Sequence, residues 1–256
     1  MFTSLDMSGR VAVIVGAAQG IGFSTARVMG EMGASLVLMD RNGEVLVKAA
    51  NELSDRGIAS EQRVLDVVDS KDVRRAMEEV ATIHGRLDSL VNCAGVASHG
   101  PSLDVEGDEW RRVIGVNLDG AFWCAREAAR QMISFGEGGS IVTIGSISGE
   151  VANVPQNQTA YNSSKAGVHN MTRCLAVEWA SHGIRVNAVA PGYVETELTR
   201  GGLENPLWAN RWSDLTPMGR VAQPDEIARV AAFLSSRAAS YMTGSIVTVD
   251  GGYLSM

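Results

Sequence analysis

Residues 11–33 read VAVIVGAAQGIGFSTARVMGEMG, and the order of residue types in this stretch decides what fold to expect. Its first five residues are apolar at every position, so a strand made of them must be covered on both faces, as in a parallel sheet. Gly16, Gly20 and Gly22 follow, with Gln19 and Ile21 among them, and a helix-periodic segment begins around Ile21. Glycine permits the tight turn and lets backbone N–H groups come close to a bound group. A pyrophosphate suits that place, because the first N–H groups of a helix are unsatisfied and carry partial positive charge. A plain strand-to-helix turn also uses glycine, so the dinucleotide reading rests on strand, loop and helix occurring together.

The same alternation continues along the chain. Apolar or β-branched runs recur at SLVLM (35–39), QRVL (62–65), LDSLV (87–91), SIVTI (140–144), IRVNAV (184–189) and SIVTV (245–249). Between them lie helix-periodic segments such as DVRRAMEEVATIHG, AREAARQMI, GVHNMTRCLAVEWASHG and DEIARVAAFL. The pattern predicts an α/β fold, a doubly wound parallel sheet of about seven strands with helices on both faces. Ligands of such sheets bind beyond the carboxyl ends of the strands. Asp40 closes the second strand, close to the offset of about 20 residues at which an acid meets the adenosine ribose hydroxyls. Its carboxylate would accept from the 2′-OH and repel a 2′-phosphate, which favours NAD over NADP. Arg41, the next residue, offers a contact for a phosphate.

Bulk properties narrow the partners. The 256 residues, 45% hydrophobic, suit one continuous domain spanning 1–256, since no Ser/Gly-rich, repeated or low-complexity stretch marks a linker. A net charge of −7 opposes nucleic acid or an anionic membrane surface and favours a small-molecule substrate. Cys93, Cys124 and Cys174 lack the close pairing of a zinc or redox site and read as buried reduced thiols. His84, His99, His169 and His182 are dispersed and read as surface or helix residues, so no metal is called for. The N-terminus has no basic region leading into an apolar core, and no apolar run approaches about 20 residues. A soluble, cytoplasmic protein is expected.

Chemistry enters at TAYNSSKAG. Tyr161 and Lys165 are four residues apart, one helical turn, so both project from one face. An ammonium held beside a phenol favours the phenolate and brings the hydroxyl toward the range of general acid/base catalysis. Lysine occurs only three times in the chain, so arginine would have been the commoner choice for a solvated cation. An ordinary amphipathic helix surface also accounts for the spacing.

At this point the chain resembles the short-chain dehydrogenase/reductase family, closest in pattern to its NAD-dependent polyol and sugar-alcohol dehydrogenases. GAAQGIG, NCAG, VNLDG, IGSISG, YNSSK, PGYVET and a terminal VDGGY occur in the family's order over essentially the whole chain. Val15 and Cys93 stand where the family usually has Thr and Asn, both in scaffolding places. The resemblance implies a Rossmann fold and hydride exchange between NAD and a secondary alcohol or ketone. Tyr161 then exchanges the substrate proton and Lys165 holds the nicotinamide ribose. Ser146 bonds the substrate oxygen, and Asn117 completes a water-linked relay with the lysine. For the cofactor, it implies that Asp66 and Val67 meet the adenine while Asn92, Ala94 and Gly95 line the adenosine side. Pro191, Gly192, Val194 and Thr196 surround the carboxamide, and Gly16, Gln19, Gly20, Ile21, Gly22 and Asp40 complete the dinucleotide site.

Ser146 precedes Tyr161 by 15 residues, two more than is common in the family, and the extra residues fall in SGEVANVPQNQ, which should approach the pocket. Ser148 and Asn153 there could bind a second hydroxyl beside the reacting carbon, or only brace the loop. The segment from about 197 to 215 reads as a helix-rich cover, in which Trp208 and Trp212 either wall the pocket or anchor a subunit contact. The helix around Ala121–Met132 and the one after Tyr161 resemble the family's dimer-forming helices, so a homotetramer is the expectation. Two other readings stay open: a carbonyl reductase of 3-oxoacyl thioesters or hydroxysteroid-like ketones, and a non-catalytic NAD-binding regulator.

Overall fold

The computed structural model describes residues 3–256. The apolar runs become strands β1 (Val11–Val15), β2 (Ser35–Asp40), β3 (Ser60–Val64), β4 (Ser89–Asn92), β5 (Gly139–Ile144), β6 (Ile184–Pro191) and β7 (Ile246–Val249). They pair in parallel in the order β3-β2-β1-β4-β5-β6-β7. The order reverses between β1 and β4, and the crevice above that switch is where such sheets bind ligands.

β1 shows why the sheet needs two covers. Ala12 and Ile14 enter one core cluster and Val11, Val13 and Val15 the other. On the first side lie α1 (Gly20–Glu31), α2 (Gly43–Asp55) and, later in the chain, the helix Pro224–Ser235; Met29, Leu53 and Ile227 are fully buried there. On the second lie α3 (Ser70–His84), the helix Gly120–Phe135 and the helix Thr159–Trp179, contributing Met77, Cys124 and Leu175. In chain order the remaining helices are α4 (Gly107–Ile114), α5 (Gly120–Phe135), α6 (Thr159–Trp179), α7 (Arg200–Leu203), α8 (Pro206–Asp214) and α9 (Pro224–Ser235). None of the described helices is long and apolar enough to cross a membrane.

Several expectations need correction. β3 is not apolar on both faces: its sequence is SEQRV and Val64 is 60% exposed, because an edge strand has a neighbour on one side only. Of the three thiols only Cys124 is fully buried; Cys93 is half-buried and Cys174 lies on the outer face of α6. His169 lies on a helix as expected, but it is 1% exposed, with Nδ1 2.9 Å from Glu150 Oε1. Residues Gly115–Asp119 form a wide π turn between α4 and α5. That turn rotates Asn117 inward, off the helical ridge its neighbours follow.

Candidate active site

The loop after β1 is built around close backbone contact. A Cβ on Gly16 would lie 2.7 Å from the Ala94 nitrogen, and one on Gly22 would lie 2.0 Å from the Gly16 carbonyl oxygen, so a side chain at either place would force the turn apart. Gly16 also sits at φ +75°, in the left-handed region glycine enters freely. Asn42 and Asp69 cap α2 and α3 with their side chains, whereas Gln19 makes no such bond to α1. The positive end of α1 therefore opens into a cleft of about 270 Å³ along the carboxyl edge of the sheet.

Most of the expected cofactor residues meet in this cleft. The glycine loop with Gln19 and Ile21 lines it, as do Asp40 at the end of β2, Asp66 and Val67 beyond β3, and Ala94 and Gly95 beyond β4. Pro191, Gly192, Val194 and Thr196 line the end nearest Tyr161 and Lys165. The carboxylate of Asp40 is held by the N–H groups of Ala18, at 3.1 Å, and Asn42, at 2.9 Å. Asn92 departs from expectation. It is 2% exposed and outside the cleft wall, where its Oδ1 accepts from the Ala94 N–H at 3.1 Å and shapes the loop from behind. An open helix end, a glycine cradle that a Cβ would fill and an acid at the end of β2 fit a nicotinamide dinucleotide.

Tyr161 and Lys165 project together from α6, with Nζ 5.5 Å from the phenol ring centre. The ammonium is aimed at the Ile144 carbonyl, to which it donates at 2.8 Å, and not at the phenolic oxygen. Burial pushes Lys165 down to about 8, while nearby Cys93 opposes the shift. Burial likewise pushes the Tyr161 hydroxyl up, and the hydrogen bond with Ser146 draws it back. In the protein alone desolvation thus prevails, and the group that lowers the phenol is Ser146 rather than the lysine expected to do so. Ser146 lies beyond β5, where its Oγ accepts from the Ser148 N–H at 3.1 Å and donates to Ser148 Oγ at 3.0 Å. Asn117 stands behind the cleft wall. Its amide exchanges bonds with Val96 N–H and C=O at 2.8 and 2.9 Å and donates to Ser164 Oγ at 3.0 Å. A Cβ on Gly95 would touch both Asn117 Oδ1 and Lys165 Nζ, at 3.6 and 3.7 Å, so the two groups converge on one point.

A second, smaller chamber of about 70 Å³ opens beside Ser146 and Tyr161. Ser148, Asn153, Gln156 and Gln158 form one side, Tyr193 and His99 another, and Trp208 and Trp212 of α8 roof it. The two tryptophans thus wall the pocket, and the helix-rich cover expected at about 197–215 is α7 and α8.

Comparison with known proteins agrees with this geometry. The family model described as enoyl-(acyl carrier protein) reductase matches residues 16–254. A galactitol 2-dehydrogenase (L-tagatose-forming) of Cereibacter sphaeroides is 44% identical over 252 residues, covering 98% of this chain and 97% of that protein. The crystal structure of gox2181 superposes with a TM-score of 0.97 at 43% identity, covering 100% of both chains. The chain is a short-chain dehydrogenase/reductase. A gluconate 5-dehydrogenase from Burkholderia cenocepacia J2315, solved in complex with NADP and tartrate, has a TM-score of 0.94 at 37% identity, covering 99% of this chain and 98% of that one.

As a short-chain dehydrogenase/reductase the protein is an oxidoreductase, and its family binds a nicotinamide cofactor. Sequence reasoning passed over several residues of its site. Cys93 lines the cofactor cleft instead of only bracing its loop, together with Arg41, where the sequence already placed a contact for a phosphate. In the chamber, Gln156 and Gln158 lie in the loop that had been expected to approach the pocket, and Tyr193 sits between Gly192 and Val194 of PGYVET. His99 follows NCAG by four residues and packs edge-on against Trp208, with ring centres 5.3 Å apart. The only available signal for these was proximity in sequence to a family motif.

Proposed function

We propose that this short-chain dehydrogenase/reductase oxidises a secondary alcohol carbon of a neutral polyol or sugar alcohol, with NAD as the preferred cofactor. The observation that carries this reading is the character of the chamber wall. It offers serine hydroxyls, amides, two phenols and an imidazole, and no arginine, lysine, aspartate or glutamate. Burial lowers the His99 ring below its ordinary value, a hydrogen bond with Gln158 opposing, so even this group favours its neutral form. A wall of neutral hydrogen-bonding groups suits hydroxyls, whereas an acid such as gluconate would bring a carboxylate with no cation to meet it.

A nicotinamide dinucleotide held in the cleft supplies the hydride acceptor and, when oxidised, positive charge near Lys165. Tyr161 then takes the hydroxyl proton, Ser146 holds the reacting oxygen, and Lys165 ties α6 to the end of β5 through the Ile144 carbonyl. Asn117 links the region of Val96 to α6 through Ser164 and supports the lysine's surroundings. Asp40 supports NAD because its carboxylate lines the adenosine end, although Arg41 lines the same cleft. A homotetramer assembled through α5 and α6 belongs to the same proposal and is tested by light scattering.

The deciding experiment is a panel of hexitols, tetritols, simple secondary alcohols, gluconate and keto esters, each run with NAD and with NADP and followed by nicotinamide absorbance. Highest kcat/KM for a polyol with NAD is expected. Highest kcat/KM for gluconate, or with NADP, overturns the corresponding half of the reading.

A further inference from the structure

The amides of the chamber could each be turned either way, but two bonds have a single possible direction. An indole N–H only donates, so Trp212 Nε1 at 3.1 Å makes Gln156 Oε1 the acceptor and turns Gln156 Nε2 toward the Tyr193 hydroxyl, also at 3.1 Å. A carbonyl only accepts, so Val151 at 2.8 Å fixes the amide nitrogen of Asn162. That nitrogen also donates to Asn153 Oδ1 at 3.2 Å, which turns Asn153 Nδ2 toward the same Tyr193 hydroxyl at 3.1 Å. Gln158 Nε2, donating to Asn153 Oδ1 at 3.0 Å, agrees with this orientation.

The phenolic oxygen of Tyr193 thus accepts two N–H bonds, which occupies both of its lone pairs. What it has left to offer is its proton. Among the described residues the one group that draws on this proton is the Tyr253 side chain, whose ring stands edge-on with its centre 5.8 Å away and whose hydrogen bond holds the phenol protonated; a substrate oxygen would take its place as acceptor. The Tyr193 ring itself is clamped, stacked on Trp212 with centres 4.2 Å apart and planes 10° from parallel. Tyr193 shares the chamber with Ser146 and Tyr161, where the reacting carbon must lie.

We propose that Tyr193 is a specificity-determining residue whose hydroxyl donates to a substrate oxygen other than the one that exchanges its proton with Tyr161. The assignment rests on the polyol reading above and gives that reading a structural cause. A polyol presents a second oxygen to this donor; a monoalcohol presents none and leaves it only the Tyr253 side chain. Burial pushes the phenol up to about 12, and the neighbouring Tyr253 adds to this against the two amides, so the group remains a donor throughout the physiological range.

The test compares kcat/KM for galactitol and for 2-butanol in the wild type, Tyr193→Phe and Gln156→Glu. Tyr193→Phe keeps the ring on Trp212 and deletes only the O–H. Gln156→Glu keeps the phenol but replaces the amide donor by an acceptor that captures its proton, so the two variants should share a phenotype that a purely structural role would not produce. In both, the galactitol-to-2-butanol ratio is expected to fall about tenfold or more, chiefly through KM for galactitol. Melting temperature is followed alongside, and both variants should stay folded at the assay temperature. If either folded variant keeps the wild-type ratio, or if both substrates lose equally, the role assigned to Tyr193 is overturned while the polyol reading stands. A wild type with no preference for galactitol over 2-butanol overturns the polyol reading and this assignment with it.

Discussion

Tyr161 and Lys165 are one helical turn apart, yet they perform separate tasks in the folded protein. The ammonium is spent on the Ile144 carbonyl at the end of β5, and the phenol, raised by burial, meets Ser146. Removing only the phenolic O–H should therefore remove proton exchange without disturbing the cleft. Tyr161→Phe is expected to lower kcat by about 10²–10⁴-fold, the usual worth of a positioned acid/base. Calorimetric titration with the nicotinamide dinucleotide should show its affinity within about threefold of wild type, the small change expected of a group that bonds substrate rather than cofactor. A variant that kept full turnover would return the pair to an ordinary helix face. These two residues were legible in the sequence because a single helix fixes their relation, and Asp40 because strand end and glycine loop are consecutive. Tyr193, Gln156 and Gln158 were not, since their hydrogen bonds join segments 37, 56 and 10 residues apart and exist only after the chain has closed on itself. Asn92 shows the opposite error: a residue in a family motif was read as a contact when it shapes the contact surface from behind.

At the scale of elements, the roof of the chamber is held by close packing between two short helices. Gly202 of α7 faces the ring of Trp212 in α8, and a Cβ there would lie 2.1 Å from that ring. Gly202→Ala must then push the two helices apart, at about 1–3 kcal/mol for an overpacked contact. Trp212 also stacks on Tyr193 and donates to Gln156, so the displacement reaches the substrate network. A lower melting temperature and a several-fold higher KM for the alcohol are expected, with KM for the dinucleotide little changed; unaltered alcohol KM would show that the roof tolerates the shift. The helical character of this segment could be read from LENPLWANRW. The π turn at Gly115–Asp119 could not. One extra residue in a turn leaves the apolar period of its flanking helices intact, and only the inward position of Asn117, bonded to Val96 and Ser164, reveals it. β3 was legible as a strand but not as an edge, because its exposure depends on what fails to pair with it.

Over the whole molecule, the sheet order places the switch between β1 and β4 and collects the carboxyl ends of the strands around one cleft, an arrangement already implied by strands apolar on both faces alternating with helices. The same arrangement buries Lys165, and that burial has a thermodynamic consequence for the entire fold. The folded lysine titrates at about 8, below its ordinary value of 10.5, so between these two values the unfolded chain binds more protons than the native protein. Stability contributed by this group consequently rises with pH across that window and is smallest below it, where a charged ammonium must stay buried. Lys165→Met lacks the titration but shares every other ionisable group, so their common pH effects cancel in the difference. Urea unfolding of both proteins at pH 7 and pH 10 should show the wild type gaining about 2–3 kcal/mol on the variant at the higher pH, the linkage expected for a shift of this size. Parallel profiles would mean that the native site accommodates the ammonium without penalty. A gain would show that the fold carries its buried lysine at a cost near neutral pH, which an anionic or hydrogen-bonding partner in the cleft is positioned to offset.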